Sequence, residues 1–240
     1  MAERRGEAAL ALRQASDPAR DAGKALARAI GDVLARDELA RLAVPGGSAL
    51  AALSFARDRL GEGWRRVALT WIDERCVPEA DPESNRGAAR RLGLLEGPSP
   101  ARRLTLYEDD ETPDQAVARV SAGLRDDFAG RLDVLLLGLG EDGHIASLFP
   151  SRAAPVSVWV AHVADSPKPP SDRITLTRAL LRTARSTLLL ATGEPKRTAL
   201  TRLVGGDPTL PAHGLPGLEI FTDLAIDPDP AAIQETQPRS

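Results

Sequence analysis

Apolar residues recur at helical spacing in some segments of this chain and as short unbroken runs in others. Ser16-Asp17-Pro18 offers an N-cap with proline near the first helical position, and an Ala/Leu period predicts a helix over residues 18–35. A short strand is expected over 41–44, then Gly46-Gly47-Ser48 and a helix to Leu60 closed by Gly61. Residues 64–73 (WRRVALTWID) read as a strand, Asp81-Pro82 as a helix start, and 102–107 as an alternating strand. Thr112-Pro113 caps a helix to about Phe128, which leads into an apolar strand over 133–137. Further strands are expected over 156–163, from Arg173, over 186–192 and over 218–222, with helical segments over 176–182 and 195–204.

This alternation of β and α, with near-continuous apolar strands, predicts an α/β fold: a three-layer α/β/α sandwich on a mostly parallel sheet. Such sheets bind ligands beyond the carboxyl ends of their strands. No repeat or low-complexity linker divides the chain. Residues 1–226 are therefore expected to form one catalytic domain, and 227–240, polar and proline-containing, a mobile tail.

Composition narrows the function classes. With 240 residues, 42% apolar and 27% charged, the chain has the balance of a soluble globular protein. A formal charge of −3 gives no electrostatic reason to expect nucleic acid or an anionic membrane as partner. Cys76 is the sole cysteine, and the first residues lack a sustained apolar run, so a cytoplasmic protein without a thiolate metal cluster is expected. Aromatic residues are only 3%, which disfavours a large aromatic interface, and a monomer or weak dimer is expected. Lysine occurs only at 24, 168 and 196 among 31 basic residues, and two of the three fall in segments singled out below.

The candidate chemistry centres on residues 133–150, DVLLLGLGEDGHIASLFP, where a buried-type strand runs into a glycine-rich loop. Asp142 and His144 can present a carboxylate and an imidazole to one bound molecule, the carboxylate orienting the ring and favouring its protonated form. Residues 138–143 also satisfy G-x-G-x-x-G, with Asp165 roughly where a ribose-binding acid would lie. A dinucleotide site needs a helix directly after that motif, and Pro150 leaves little room for one. No histidine or cysteine pair has metal-ligand spacing. His162 and His213 read as structural. Gly46-Gly47-Ser48 offers backbone amides and a hydroxyl to an anion, or equally a tight turn with Ser48 as N-cap. Asp73-Glu74-Arg75 is either a solvated charge run or the site of a phosphate-clamping arginine. Lys168, Arg173 and Lys196 stand at further strand boundaries. This convergence of cations, glycine turns and one acid–base pair points to a small phosphorylated substrate.

PGGS at 45–48, DERCVP at 73–78 with Ser84-Asn85, GLGEDGHIASLFP at 138–150, KPPSDRITLT at 168–177 and GEPKRTAL at 193–200 occur in that order. Together they resemble the 6-phosphogluconolactonase family over residues 20–225. The resemblance implies a fold shared with glucosamine-6-phosphate deaminase and ribose-5-phosphate isomerase, no cofactor and no required metal. It implies hydrolysis of a sugar-phosphate lactone in the oxidative pentose phosphate pathway. His144 would be the general base, and Asp142 its support. Arg75, Arg173 and Lys196 would hold the phosphate, helped by Gly46, Gly47 and Ser48 and flanked by Lys168. Asp73 would position Arg75 or a sugar hydroxyl, and the loop glycines, Gly140 and Gly143 among them, would supply oxyanion donors.

Pro45, Ala49 and Leu50 depart from the family's serine-glycine-glycine-serine-threonine-proline loop, which puts hydroxyl contacts there in doubt but not amide contacts. Cys76 stands where tyrosine is common. The deaminases carry a glutamate five residues after the histidine, where this chain has Phe149, which favours hydrolysis. A non-catalytic sugar-phosphate sensor would have no need of both Asp142 and His144.

Overall fold

The structure, a computed structural model, describes residues 10–96, 99–150, 152 and 157–227. A seven-stranded, wholly parallel sheet forms its centre. The chain runs β1 (Ala11–Gln14), α1 (Pro18–Leu34), β2 (Ala40–Val44), α2 (Ala51–Leu60), β3 (Val67–Trp71), β4 (Asp73–Arg75), α3 (Asn85–Arg91), β5 (Arg102–Leu104), α4 (Pro113–Asp126) and β6 (Val134–Gly138). It continues through β7 (Val160–Val163), β8 (Arg173–Leu176), α5 (Arg178–Leu181), β9 (Ser186–Leu190), α6 (Arg197–Val204) and β10 (Leu218–Thr222). The main sheet has the order β1-β10-β9-β6-β2-β3-β5, and β4-β8-β7 make a separate antiparallel sheet.

Local chemistry accounts for the element ends. The Asp17 carboxylate accepts the Arg20 amide at 3.1 Å, and Pro18 opens α1 without a wasted N–H. Thr112 and Gln115 form a reciprocal capping box at the start of α4. β6 is an unbroken apolar run because it is paired on both edges and its Val134, Leu135, Leu136 and Leu137 are all buried.

Right-handed crossovers assign the layers. Links from β1 to β2, β2 to β3 and β3 to β5 move one way across the sheet, and those from β5 to β6, β6 to β9 and β9 to β10 move the other way. The handedness rule therefore sets α1 and α2 on one face, and α4, α6 and the β7–β8 pair on the other, where β4 joins β8. α1 packs against α2, and α4 against β7 and β8, in keeping with this. The direction of travel reverses between adjacent β2 and β6, which makes the cleft beyond their carboxyl ends the topological switch point. One continuous apolar core extends from Ala22 to Leu224.

Several expectations require correction. β1 is a strand that the sequence pattern did not suggest; it is a four-residue edge paired only with β10, so it carries little burial signature. The expected strand over 64–73 begins only at Val67, because residues 61–66 form a 3-10 turn that buries Trp64. It then breaks after Trp71, and Asp73–Arg75 leaves the main sheet for the small one. The helix expected from Asp81 starts at Asn85, where the Ser84 hydroxyl accepts the Gly87 amide at 3.0 Å. Val156 and the tail beyond Asp227 lie outside the described residues.

Candidate active site

β2 and β6 deliver their following loops to the two sides of one cleft. It holds a cavity of about 300 Å³, and Gly46, Gly47, Ser48, Asp73, Arg75, Gly140, His144, Lys168, Arg173 and Lys196 all line it. Ten of the twelve candidate residues thus converge. Asp142 and Gly143 stand behind the wall rather than on it.

In the loop after β6 no helix follows the glycines, which removes the requirement for a dinucleotide site. The loop instead folds on itself. The Gly140 amide donates to the His144 carbonyl at 2.8 Å, and the Gly143 amide to the Gly140 carbonyl at 3.0 Å. Both amides are therefore committed, and neither is available as an oxyanion donor, contrary to the expectation from sequence. A Cβ on Gly140 would lie 2.0 Å from His144 Nδ1 and 2.6 Å from Asp142 Oδ1; only glycine leaves space for this pair. Gly143 has φ 89° and turns the chain.

His144 Nδ1 lies 2.5 Å from Asp142 Oδ1, and the same oxygen accepts the His144 amide at 3.3 Å. With an ionised carboxylate as acceptor, the proton belongs on Nδ1, which leaves the Nε2 lone pair without a partner among the described residues. The Phe149 ring, 4.9 Å away centroid to centroid, shields the imidazole, whose side chain is 18% exposed. Burial pushes the imidazole below the ordinary histidine value, Lys168 adds to this, and Asp142 opposes it. The sequence reading had the carboxylate favouring the protonated ring; in the fold, desolvation outweighs it. Burial also acts to raise the Asp142 carboxyl. The His144 hydrogen bonds and charge, with Lys168 at 3.6 Å, overcome that and hold it below the usual range.

The opposite wall comes from the small sheet. β4 pairs antiparallel with β8, which sets Asp73 opposite Thr175 and Arg75 directly opposite Arg173. Alternation along β4 turns Asp73 and Arg75 to the cavity and Glu74 away from it. Glu74 is not in a solvated charge run. It is 1% exposed and accepts the amides of Arg75, Asn85 and Arg86 at 2.8, 2.7 and 2.7 Å, so it caps α3. Burial raises its carboxyl despite those bonds. Asp73 is equally enclosed: it accepts Ser147 Oγ at 2.7 Å and Asn85 Nδ2 at 3.3 Å, and stands 3.9 Å from Arg173 Nη1.

The cations differ in how far they are already engaged. Arg173 is buried, and gives Nε to the Pro170 carbonyl at 3.0 Å and Nη2 to the Lys168 carbonyl at 2.9 Å. Burial pushes its guanidinium down, Asp73 offsets this, and Arg75 adds to it. Arg75 Nη1 donates to the Glu83 carbonyl at 2.5 Å. Lys168 is drawn to Asp142, whereas the Lys196 ammonium makes no hydrogen bond or ion pair among the described residues. Two guanidiniums in direct register are mutually repulsive, a cost that a bound anion would relieve.

Ser48 is not an N-cap. Gly46 caps the 3-10 turn Gly47–Leu50 with no side-chain bond, and the Gly46, Gly47 and Ser48 amides have no acceptor among the described residues. A Cβ on Gly46 would fall 1.8 Å from Asn85 Oδ1, so this glycine admits the side chain that reaches Asp73. Ser147, Asn85 and Glu74 were the residues that sequence reasoning missed. For Asn85 and Ser147 the only signal was their place inside otherwise notable motifs. His162, at 2.9 Å from Asp172, lies outside the cavity lining. No group of histidine, cysteine or acidic side chains suited to a metal occurs among the described residues.

Comparison with known proteins shows the family and the fold. The family profile of glucosamine-6-phosphate isomerases/6-phosphogluconolactonase matches residues 13–220. The chain is 36% identical to the 6-phosphogluconolactonase of Mycobacterium leprae over 230 residues, covering 88% of this chain and 92% of that protein. It is 37% identical to that of Mycobacterium tuberculosis over 227 residues, with the same coverage. The crystal structure of a 6-phosphogluconolactonase from Thermotoga maritima superposes with a TM-score of 0.74 at 22% identity, covering 89% of this chain and 97% of that one, and so shares the fold. The switch-point cleft, the dyad and these likenesses together place the chain in the glucosamine-6-phosphate isomerase/6-phosphogluconolactonase family.

Proposed function

We propose that this chain hydrolyses 6-phospho-D-glucono-1,5-lactone to 6-phospho-D-gluconate, the lactone-opening step of the oxidative pentose phosphate pathway. The observation that carries this reading is the Asp142-oriented imidazole in one cavity with the Arg75–Arg173 pair and the uncommitted Lys196 ammonium. His144 Nε2 takes a proton from water as its oxygen attacks the lactone carbonyl, and the ring then returns that proton to the departing ring oxygen. Asp142 stabilises the imidazolium formed in between. The amides of Gly46, Gly47 and Ser48, which have no acceptor among the described residues, receive the oxyanion. Lys196 and the free Arg75 Nη2 bind the phosphate, while Arg173 is chiefly the brace of that wall. Asp73, held by Ser147 and Asn85, orients a sugar hydroxyl. Deamination is disfavoured because apolar Phe149 occupies the position where that reaction needs an acid.

On this reading residues 1–226 are one catalytic domain, supported by the single apolar core, and the enzyme works in the cytoplasm without cofactor, as a monomer or weak dimer. No helix among the described residues is long and apolar enough to cross a membrane. The test is hydrolysis of freshly made lactone with the spontaneous rate subtracted. His144→Asn is expected to lose roughly 10²–10⁴-fold in rate with an unchanged fold. Near-wild-type turnover in that variant would remove His144 as the base, and no acceleration by folded wild-type protein would remove the reaction.

A further inference from the structure

A second cavity, of about 400 Å³, lies on the far side of the loop that carries the dyad. Phe149, Pro208, Leu210 and Pro211 give it an apolar wall, and Arg178, on α5, and Arg182, its C-cap, complete the lining. Phe149 lines this cavity, and its ring packs on His144, which lines the first. Leu210 is buried against the turn at Gly143, where an added Cβ would come within 2.5 Å of its Cδ2.

The two arginines are unlike most of their kind here. Neither has a carboxylate partner among the described residues. Arg178 donates through Nη2 to the His213 carbonyl, and its Nε is buried without any partner. Arg182 Nη1 reaches only the Gly214 carbonyl, at 3.5 Å. They stand four residues apart, at the first residue of α5 and at its C-cap, a spacing that brings like charges together and disfavours the pair unless an anion joins them. Burial, with the Arg182 charge behind it, pushes the Arg178 guanidinium down, the same frustration seen from its titration. A third guanidinium on the lining, that of Arg152, is already engaged by Asp165 at 2.6 Å.

We infer that this cavity is a second binding site, for a small aromatic anion whose flat body lies on the Phe149–Leu210–proline wall and whose carboxylate, sulfonate or phosphate bridges Arg178 and Arg182. The wall excludes a bare inorganic anion as a good ligand, because the apolar side of the cavity would stay unfilled. Arg178 disfavours a neutral one, because its half-buried guanidinium would remain without a charge partner.

The probe is anilinonaphthalene sulfonate, followed by fluorescence on the full chain at neutral pH. The wild-type protein is expected to bind one dye saturably, with no displacement by inorganic phosphate or 6-phosphogluconate. Arg182→Glu reverses an exposed charge and is expected to weaken binding about ten-fold or more, the loss of one charge-assisted contact. Ala179→Phe fills the cavity without altering its charge and is expected to abolish saturable binding, while thermal melts report that both variants remain folded. Unsaturable dye uptake, equal affinity in the folded Arg182→Glu variant, or displacement by 6-phosphogluconate would each overturn the assignment. The readout does not use catalysis, so it stands or falls separately from the lactonase reading.

Discussion

At the residue scale, Asp142 and His144 work against each other's surroundings. Burial drives the imidazole toward neutrality, the carboxylate restrains that drive, and the result is a ring biased toward its neutral form yet able to accept a proton. Activity is therefore expected to fall on acidification with a midpoint below about 6.5, the ordinary histidine value, in a kcat/KM–pH profile. Asp142→Asn removes the negative charge that raises the histidine, so its acid limb is expected at still lower pH. Its plateau rate is expected about 10²-fold lower, because the ring is no longer held in one orientation. A limb that moves to higher pH would contradict this sign. The cations separate in the same way. Lys196→Ala is expected to raise KM about 30-fold, equivalent to about 2 kcal/mol for a lost contact to a charged group, without lowering the melting temperature. Arg173→Ala is expected to lower the melting temperature as well, since three carbonyls of the 168–170 loop and Asp73 lose their partner. The dyad was legible in the sequence because its members are two residues apart in one turn. The Ser147–Asp73 bond was not, because it joins positions 74 residues apart through the pairing of β4 with β8.

At the element scale, the short helix α3 matters more than its length suggests. Glu74 and Ser84 satisfy its first amides, and that fixes Asn85 against Asp73 and Gly46. Ser84→Ala is expected to cost about 1 kcal/mol of stability, the usual value for a lost N-cap, and also to weaken substrate use. Thr112→Ala, at the start of α4 and away from the cavity, is expected to cost a similar amount with KM unchanged. Denaturant unfolding and KM measured on both variants check the contrast; equal KM in the two would leave α3 with no part in positioning the site. The long helices were readable because their caps and periods are local. β4 was not, since a three-residue strand that leaves one sheet for another has no periodicity of its own, and charged DER resembles a solvated turn until its partner strand is known.

At the scale of the whole molecule, the single core predicts a single cooperative unfolding transition, in which calorimetric and van't Hoff enthalpies agree. Two transitions would divide the chain into more than one domain. The sequence alone determined the parallel α/β class, the order of most elements, the glycine-rich loop and the dyad, because each rests on hydrogen bonding, hydrophobic period or backbone freedom within a few residues. Only the tertiary structure decided which donors and cations are free. That depends on how each loop closes and on what packs over it: turns that spend the Gly140 and Gly143 amides and most of Arg173 on nearby carbonyls, Glu83 that engages Arg75, and the desolvation that overrides Asp142 at His144. Local sequence records which groups exist; how much of their bonding capacity and charge remains for a substrate is set by the packing around them.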